Sequence, residues 1–235
     1  MDDLEKHRQS IDINGFTVID NIYSPAEIIN IIEKIERADQ NTPFFRKTSD
    51  LFAIRQFLKH VPEIKEAIFN DKLNAIVYNL FGPRYFVVKS IYFDKPEKSN
   101  WFVDWHQDLT IAVNKKAELA GYAKWTLKQN QYAVQPPVNI LQDNFTIRIH
   151  LDDTDYGNGA LKVVPGSHLK GIYRVEHFVP ENEHSCAVKA GGVMIMRPLL
   201  MHASNRSATN KKRRVIHIEF SNAELPGEIN WAEKE

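Results

Sequence analysis

The chain has 235 residues, of which 43% are hydrophobic and 26% are charged. These fractions are those of an ordinary globular protein, and the length suits a single domain (1–235) with a sizeable core. The 30 basic and 30 acidic residues balance, so charge gives no reason to expect nucleic acid or an anionic membrane as a partner. The lone cysteine, Cys186, excludes an intrachain disulfide. The charged N-terminus lacks the apolar core of a secretory signal, and no apolar run approaches a membrane span, so we expect a cytoplasmic protein.

The first part of the chain, 1–83, is predicted to be mainly helical. The sequence S-P-A-E at 24–27 is a capping box with proline at the first helical position. One buried helical face is then marked by isoleucines at helical spacing, Ile28, Ile31, Ile32 and Ile35. Further helices are expected over 50–60 and over 62–81. We expect this part to support the fold.

From residue 84 onward, short runs of β-branched and aromatic residues with turn signals between them predict strands. The clearest runs are 85–94, 144–153, 160–165, 186–196 and 213–220. The segment 114–141 lacks strand alternation and is long for a connection, so we interpret it as a loop, which in a compact domain is often functional. Helices followed by antiparallel strands predict an α+β fold with a sandwich or barrel whose β core is 84–220.

Two of these strands have one apolar and one polar face. In the first, Ile147, Ile149 and Leu151 alternate with Thr146, Arg148, His150 and Asp152. In the last, Arg214, Ile216, Ile218 and Phe220 alternate with Arg213, Val215, His217 and Glu219. In an ordinary sandwich the polar faces would lie in water. Alternatively, the apolar faces pack under the N-terminal helices and the polar faces line a cavity, as a barrel that holds a metal and an anionic ligand requires.

Two His-x-Asp motifs are candidates for a metal site: His106 with Asp108, and His150 with Asp152. Residues two apart on a strand share a face, so each pair could direct an imidazole and a carboxylate at one centre. A second histidine would complete the 2-His-1-carboxylate face that is typical of non-haem Fe(II) oxygenases. His202, between an apolar strand and a polar turn, is the expected partner. More strands separate it from the first motif, which leaves room for a barrel to close, so we prefer that motif.

Arg213 stands at the head of the last predicted strand. A buried arginine is costly unless it pairs with an anion, and its planar fork suits a carboxylate. Two histidines, one aspartate and a following arginine therefore fit a metal site that also takes a dicarboxylate cosubstrate.

Several segments carry a resemblance to a known family: W-H-Q-D at 105–108, R-I-H-L-D-D at 148–153, N-G-A-L-K-V-V-P-G-S-H at 158–168, and H-A-S-N-R-S at 202–207 followed by R-R at 213–214. With these segments in order over most of 84–220, the chain resembles the phytanoyl-CoA dioxygenase family of Fe(II)- and 2-oxoglutarate-dependent oxygenases. The resemblance implies a double-stranded β-helix, a jelly-roll barrel of the cupin type, with the N-terminal helices packed on one sheet.

The resemblance also implies a set of site residues. The implied Fe(II) ligands are His106, Asp108 and His202. The implied contacts of 2-oxoglutarate are Arg213, which binds its distal carboxylate, and Ser204; Lys89 and Arg148 are candidates for its remaining oxygens.

The implied reaction is hydroxylation of a C–H bond in a small or medium organic substrate, with O2 as the oxidant and 2-oxoglutarate converted to succinate and CO2. Asp108 favours hydroxylation, because halogenating relatives replace this carboxylate to make room for halide. Substrate contacts are expected from the aromatic residues of 114–141 and from the polar strand faces, namely Tyr122, Trp125, Tyr132, His150 and His217. Alternatively, the three aromatic side chains only pack their segment against the barrel.

Two other functions stay open at this point. The chain could be a cupin-like metalloprotein that does not use 2-oxoglutarate, or a non-catalytic binding protein on the same barrel. Arg213 discriminates against the former, because a small-substrate cupin has no need of a buried guanidinium there. The complete set of His106, Asp108, His202 and Arg213 argues against the latter. The identity of the substrate and the oligomeric state are left open.

Overall fold

The structure, a computed structural model, describes residues 3–38, 45–47, 52–97, 101–128, 130–174 and 178–234. Within these ranges the helices are α1 (Asp3–Asn14), α2 (Pro25–Arg37), α3 (Phe57–His60), α4 (Lys65–Ile68), α5 (Asp71–Phe81) and α6 (Val138–Asp143). The strands are β1 (Phe16–Ile19), β2 (Phe45–Lys47), β3 (Phe52–Arg55), β4 (Phe86–Lys95), β5 (Val103–His106), β6 (Ile111–Val113), β7 (Ala123–Lys128), β8 (Gln131–Gln135), β9 (Phe145–His150), β10 (Leu161–Val163), β11 (His184–Cys186), β12 (Val193–Met196), β13 (His202–Ser204) and β14 (Arg213–Ser221). Among the described helices, none is long and apolar enough to cross a membrane.

The strands form antiparallel sheets. The largest has seven strands in the order β1-β12-β9-β14-β4-β3-β2, the next has four in the order β11-β10-β13-β5, and a small one has the order β6-β8-β7. Side chains from the two larger sheets share one buried cluster, which includes Leu161 and Val163 from one sheet and Met194 and Met196 from the other. The two larger sheets therefore face each other, as the predicted double-stranded β-helix requires.

The N-terminal helices cover the outer face of the seven-stranded sheet. Helix α2 begins at the predicted capping box, where the Ser24 hydroxyl accepts a hydrogen bond from the Glu27 N–H and the Glu27 carboxylate accepts one from the Ser24 N–H. One buried cluster combines the helix isoleucines with the apolar faces of β9 and β14, including Ile28, Ile31, Ile35, Ile147, Ile149, Ile216 and Ile218. The apolar strand faces thus pack under the helices, and the polar faces of the same strands point inward.

The helices expected over 62–81 are confirmed in their main part. A short 3-10 turn leads into α4, and Asn70 then caps α5 by accepting a hydrogen bond from the Leu73 N–H. Helix α5 ends at Gly82, whose φ of 90° is readily adopted by glycine.

The helix expected over 50–60 is wrong for much of its length, although residues 50 and 51 lie outside the described part of the chain. Phe52–Arg55 is strand β3, in which Ala53 pairs with Phe93 of β4. Gln56 then adopts a left-handed φ of 50° and separates the strand from helix α3. The strand forms because of a partner far along the chain, which the local pattern does not contain.

The loop expected over 114–141 is also wrong. This segment contains β7, β8 and the start of α6, and β8 pairs with β6 on one side and with β7 on the other. Every residue of β7 except Trp125 is exposed, so the alternation of apolar and polar residues from Ala123 to Lys128 marks no buried face. The β7–β8 register shifts between Ala123 and Thr126, where Lys124 has a φ of 53°. An exposed and irregular strand therefore read as a loop.

Candidate metal centre

The structure brings the three predicted metal ligands together. His106 ends β5 and lies directly opposite His202, which begins the neighbouring β13. Asp108 follows β5, and its N–H donates to the carbonyl oxygen of Pro198 over 2.9 Å. One potential ligand atom from each of the three side chains lies within 4.8 Å of the other two. This is a 2-His-1-carboxylate face of the kind that holds non-haem iron.

Backbone carbonyl groups orient both imidazoles. His106 Nδ1 lies 2.7 Å from the Asp104 carbonyl oxygen, and His202 Nδ1 lies 2.8 Å from the Leu200 carbonyl oxygen. A carbonyl oxygen only accepts hydrogen bonds, so each Nδ1 must carry a hydrogen, and in the neutral imidazole the lone pair is then on Nε2. Such outer contacts are how proteins fix metal-binding histidines. The donor atoms are therefore prepared for a cation.

Electrostatics favour the same protonation states. Burial lowers the pKa of His202 to about 4, so its imidazole is neutral near pH 7. Burial alone would raise the pKa of Asp108, but the neighbouring groups, chiefly His202, His217 and Lys89, outweigh it and hold that pKa below its ordinary value. A neutral imidazole beside an ionised carboxylate, 3.8 Å apart at His202 Nε2 and Asp108 Oδ2, is the pairing that a divalent cation needs.

The three ligands open into a cavity of about 130 Å³, which we call the metal cavity. Its other lining residues are Lys89, Ile91, Phe93, Trp101, Val103, Arg148, Leu161, Ser204, Arg213 and His217. The four residues expected to contact 2-oxoglutarate therefore all face the metal ligands, as does His217, one of the expected substrate contacts. The polar faces of β9 and β14 therefore line a cavity, as one of the two interpretations of their alternation predicts, and do not lie in water.

Arg213 is the clearest anion-binding group in this cavity. Its guanidinium is buried, donates to the Gly159 carbonyl oxygen, and has an Nε without a hydrogen-bond partner among the described residues. Burial and the nearby Arg148 lower its pKa to about 9, so it stays charged near pH 7. A buried cation with an unused donor and no acidic partner in the described chain fits an anionic ligand. Ser204, also buried, lines the same cavity.

Lys89 has a counter-ion that the sequence analysis missed. Its Nζ lies 2.5 Å from Oε1 of Glu219, and that oxygen lies 3.0 Å from Nε2 of His217. Nδ1 of His217 lies 3.2 Å from a guanidinium nitrogen of Arg148, which can only donate. The hydrogen of His217 is therefore on Nε2 and points at Glu219. This network occupies Lys89, so its role toward the cosubstrate stays a prediction.

Lys95 is a second residue that the sequence analysis missed. It pairs with Arg213 across β4 and β14, is 1% exposed, and donates to the Asn205 carbonyl oxygen over 2.6 Å. Burial, together with the charge of Arg213, lowers its pKa to about 7. Strand alternation places Lys95 on the same face as Lys89, and this signal was available in the sequence.

The second His-x-Asp motif is not brought together as a metal site. Nδ1 of His150 lies 2.8 Å from the Thr154 hydroxyl oxygen, and the residue does not line the metal cavity. Asp152 instead accepts two hydrogen bonds from the Arg214 guanidinium, at 2.7 and 2.9 Å. Strand β9 ends at His150, so the alternation that would align Asp152 with it stops there. The expected substrate contact by His150 is not supported by this geometry.

The aromatic residues of 114–141 lie apart from the metal cavity. Tyr122, Trp125 and Tyr132 are partly buried against a cluster that contains Val113 and Trp231. None of the three lines the metal cavity. The geometry therefore favours the alternative in which they pack their segment against the barrel.

Comparison with known proteins identifies the family of the chain and structures that share its fold. A family model described as phytanoyl-CoA dioxygenase (PhyH) matches residues 11–215. No curated protein sequence gave a significant match. The structure of SnoK, a non-heme alpha ketoglutarate dependent carbocyclase from nogalamycin biosynthesis, covers 92% of this chain and 83% of its own at 16% identity, with a TM-score of 0.68.

Two further solved structures are similar. HygX from Streptomyces hygroscopicus, with nickel and 2-oxoglutarate bound, covers 92% of this chain and 86% of its own at 16% identity and a TM-score of 0.64. AviO1 from Streptomyces viridochromogenes Tue57 covers 95% and 97% at 19% identity and a TM-score of 0.67. At these identities the likeness concerns the fold, and it confirms the predicted double-stranded β-helix.

Proposed function

Because the chain belongs to the phytanoyl-CoA dioxygenase family, we propose that it is an Fe(II)- and 2-oxoglutarate-dependent dioxygenase that hydroxylates a C–H bond of a small or medium organic substrate. One observation carries the proposal: the metal-ligand atoms of His106, Asp108 and His202 lie within 4.8 Å of one another, and their cavity also contains Arg213. The nickel and 2-oxoglutarate bound in HygX, on the same fold, support the choice of cosubstrate.

The residues present fit the metal. His106 and His202 would supply their Nε2 atoms, and Asp108 would supply a carboxylate oxygen. When bound, Fe(II) with 2-oxoglutarate and O2 supplies the oxidising power, and 2-oxoglutarate ends as succinate and CO2. Three protein ligands leave part of the coordination shell open for these partners.

Arg213 would bind the distal carboxylate of 2-oxoglutarate. Its unused Nε and its buried charge are the features that a bidentate carboxylate satisfies. The Ser204 hydroxyl, on the same wall, can donate one further hydrogen bond. Apolar and aromatic side chains on the rest of the wall, among them Ile91, Phe93 and Leu161, would exclude water from the reacting centre.

Hydroxylation is the reaction outcome that Asp108 favours. A carboxylate at this ligand position fills the place that halogenating relatives leave to halide. The carbocyclase SnoK has the same fold, so the outcome also depends on how the substrate is held. Product analysis with the true substrate would separate hydroxylation from ring closure.

An anaerobic titration of the metal-free protein with Fe(II) and 2-oxoglutarate tests the proposal. We expect a weak visible charge-transfer band that is absent in Asp108→Ala, because that variant lacks a metal ligand. Asp152→Ala is the matched control, since Asp152 belongs to the other His-x-Asp motif and pairs with Arg214. It should keep the band.

Admission of O2 to the loaded wild-type protein should then release succinate. A wild-type protein without the band would contradict the proposal. Loss of the band in Asp152→Ala but not in Asp108→Ala would mean that the wrong motif has been assigned to the metal.

A further inference from the structure

A second cavity lies beside the metal cavity, and Lys89 lines both. It has a volume of about 130 Å³, and we call it the basic cavity. Its lining residues are Arg55, Lys89, Thr110, Ile111, Ala112, Thr126, Lys128, Gln131 and Ala133. They come from β3 and β4 of the seven-stranded sheet, from the small three-stranded sheet, and from Thr110, which precedes β6.

The basic cavity is close to the metal ligands. Thr110, on its wall, is two residues after Asp108. The Lys89 ammonium group lies 2.5 Å from a Glu219 oxygen, and a Glu219 oxygen lies within 4.8 Å of an Asp108 oxygen. A molecule that reached from one cavity into the other would therefore pass directly beside the metal centre.

The lining of the basic cavity has the composition of an anion site. Three cationic side chains from β3, β4 and β7 line it, Arg55, Lys89 and Lys128, and no carboxylate is among its lining residues. Lys89 is balanced by Glu219, whereas Lys128 forms no ion pair with the described residues. Basic groups that converge on a concave surface attract and hold anions.

Hydrogen-bond donors in the same wall add to this chemistry. The hydroxyl groups of Thr110 and Thr126 have no partner within the described part of the chain, so both are available to a ligand. Gln131 is held in place, because its side-chain amide donates to the carbonyl oxygens of Val113 and Tyr132 over 3.0 and 2.9 Å. The wall is therefore organised by the three-stranded sheet that the sequence analysis read as a loop.

We propose that the basic cavity binds an oxyanion group of the substrate, a carboxylate or a phosphate, so that the rest of the molecule extends toward His106, Asp108 and His202. That the bound anion is part of a substrate rests on the proposed function, whereas the existence of the anion site does not. This assigns to the small three-stranded sheet the role of selecting acidic substrates. It also gives the segment 114–141 a part in recognition through Thr126 and Lys128, in place of the expected aromatic residues.

Binding of simple oxyanions tests the proposal without iron or turnover. Inorganic sulfate, as a tetrahedral oxyanion, and acetate, as a carboxylate, would each be titrated into the ¹⁵N-labelled full chain. We expect amide shifts in ¹H–¹⁵N NMR spectra at Thr110, Ala112, Thr126 and Gln131. The anion that binds more tightly identifies the group that the site prefers.

Lys128→Glu should weaken this binding at least about tenfold, because it replaces an attractive charge with a repulsive one at an exposed position that does not hold the fold together. Lys116→Glu is the matched control: Lys116 is also exposed, does not line the cavity, and its variant should bind as the wild type does. Arg55→Gln provides a second variant on the opposite wall, with a smaller expected loss.

Equal affinity in Lys128→Glu and wild type, or shifts confined to the residues around Arg213, would overturn the anion site. This failure is distinct from failure of the proposed function. If the protein binds Fe(II) and 2-oxoglutarate but neither sulfate nor acetate, the proposed function stands and the anion site is wrong. If it binds sulfate or acetate in the basic cavity but not Fe(II) and 2-oxoglutarate, the anion site stands and the proposed function is wrong.

Discussion

The two faces of the seven-stranded sheet are made by the same strands and have opposite chemistry. On β9 and β14 the outer face carries Ile147, Ile149, Ile216 and Ile218, all fully buried under the helices. The inner face carries Arg148, Arg213 and His217, which are also buried but line the metal cavity. A period of two residues along the strand separates the two faces.

The outer face of the sheet stabilises the folded protein, whereas the buried charges of the inner face oppose folding. Each isoleucine on the outer face removes apolar surface from water and contributes about 1.5–3 kcal/mol. The inner face holds Lys95, Arg148 and Arg213, and none of them forms an ion pair with the described residues. A buried cation without an ion pair opposes folding, so its presence is best explained by an anion that it binds. The outer face therefore stabilises the fold, and the inner face binds ligands at a cost in stability.

Truncation on the outer face should have the largest effect. Ile147→Ala should lower the free energy of unfolding by about 4 kcal/mol, because Ile147 is fully buried and the helices above it cannot fill the cavity. Chemical denaturation of the metal-free protein measures this change. Ile29→Ala, at a position of α2 that is 57% exposed, is the control and should change stability by less than about 0.5 kcal/mol.

The affinity of Ile147→Ala for 2-oxoglutarate should stay close to that of the wild type at temperatures where both are folded. A variant that folds normally but loses 2-oxoglutarate would show that the two faces are not separable.

Truncation on the inner face should act on binding instead. Arg213→Ala should weaken 2-oxoglutarate binding about a hundredfold, or 2.7 kcal/mol, because the distal carboxylate would lose a charged bidentate partner. Metal binding should persist, since Arg213 is not a ligand, and stability should be equal or higher because a buried charge is gone. Anaerobic calorimetric titration of the metal-free protein with Fe(II), and then of the Fe(II)-loaded protein with 2-oxoglutarate, measures the two affinities.

The next residue on β14 provides the matched control for this experiment. Arg214 pairs with Asp152 away from the metal cavity, so Arg214→Ala should keep the affinity for 2-oxoglutarate. Equal losses in the two variants would mean that the effect comes from disruption of the strand and not from the lost anchor.

The two faces could be predicted from sequence because the alternation is carried by neighbouring residues. Ile147 and Ile149 stand out as core positions, and His106, Asp108 and His202 stand out through residue type, spacing and family resemblance. Their convergence depends on β5 and β13 being neighbours, which a barrel topology supplies.

Two strands and two buried charged residues could not be predicted, because they depend on partners far along the chain or on features other than the apolar pattern. Strand β3 exists through its pairing with β4. Strand β7 alternates only briefly and is exposed on both faces, so its pattern does not mark a core strand. Glu219 was read as one of several polar residues, since only the structure shows that it faces Lys89. Lys95 shares the strand alternation of Lys89, but it ends an aromatic-rich strand, where a lysine usually lies at the surface, so the alternation alone does not show that it is buried.

Lys95 provides the smallest and most specific test of the cost of the inner face. Burial and the charge of Arg213 lower its pKa to about 7, whereas in the unfolded chain it would titrate near 10.4. Between these two pH values the unfolded chain binds more protons than the folded one, so Lys95 makes stability rise as the pH is raised from about 7 to 10. Below pH 7 both states are protonated, and the cost of burying the charge is constant.

Lys95→Met removes this contribution while keeping much of the side-chain volume. Thermal unfolding of the metal-free protein should therefore show the variant above the wild type by a few degrees at pH 6 to 7, with the gap closing toward pH 10. Lys116→Met, at an exposed position, should leave the difference between pH 7 and pH 10 unchanged. Parallel profiles for Lys95→Met and the wild type would mean that Lys95 keeps its proton in the folded protein. The inner face would then hold its cations at a lower cost than the comparison of the two faces implies.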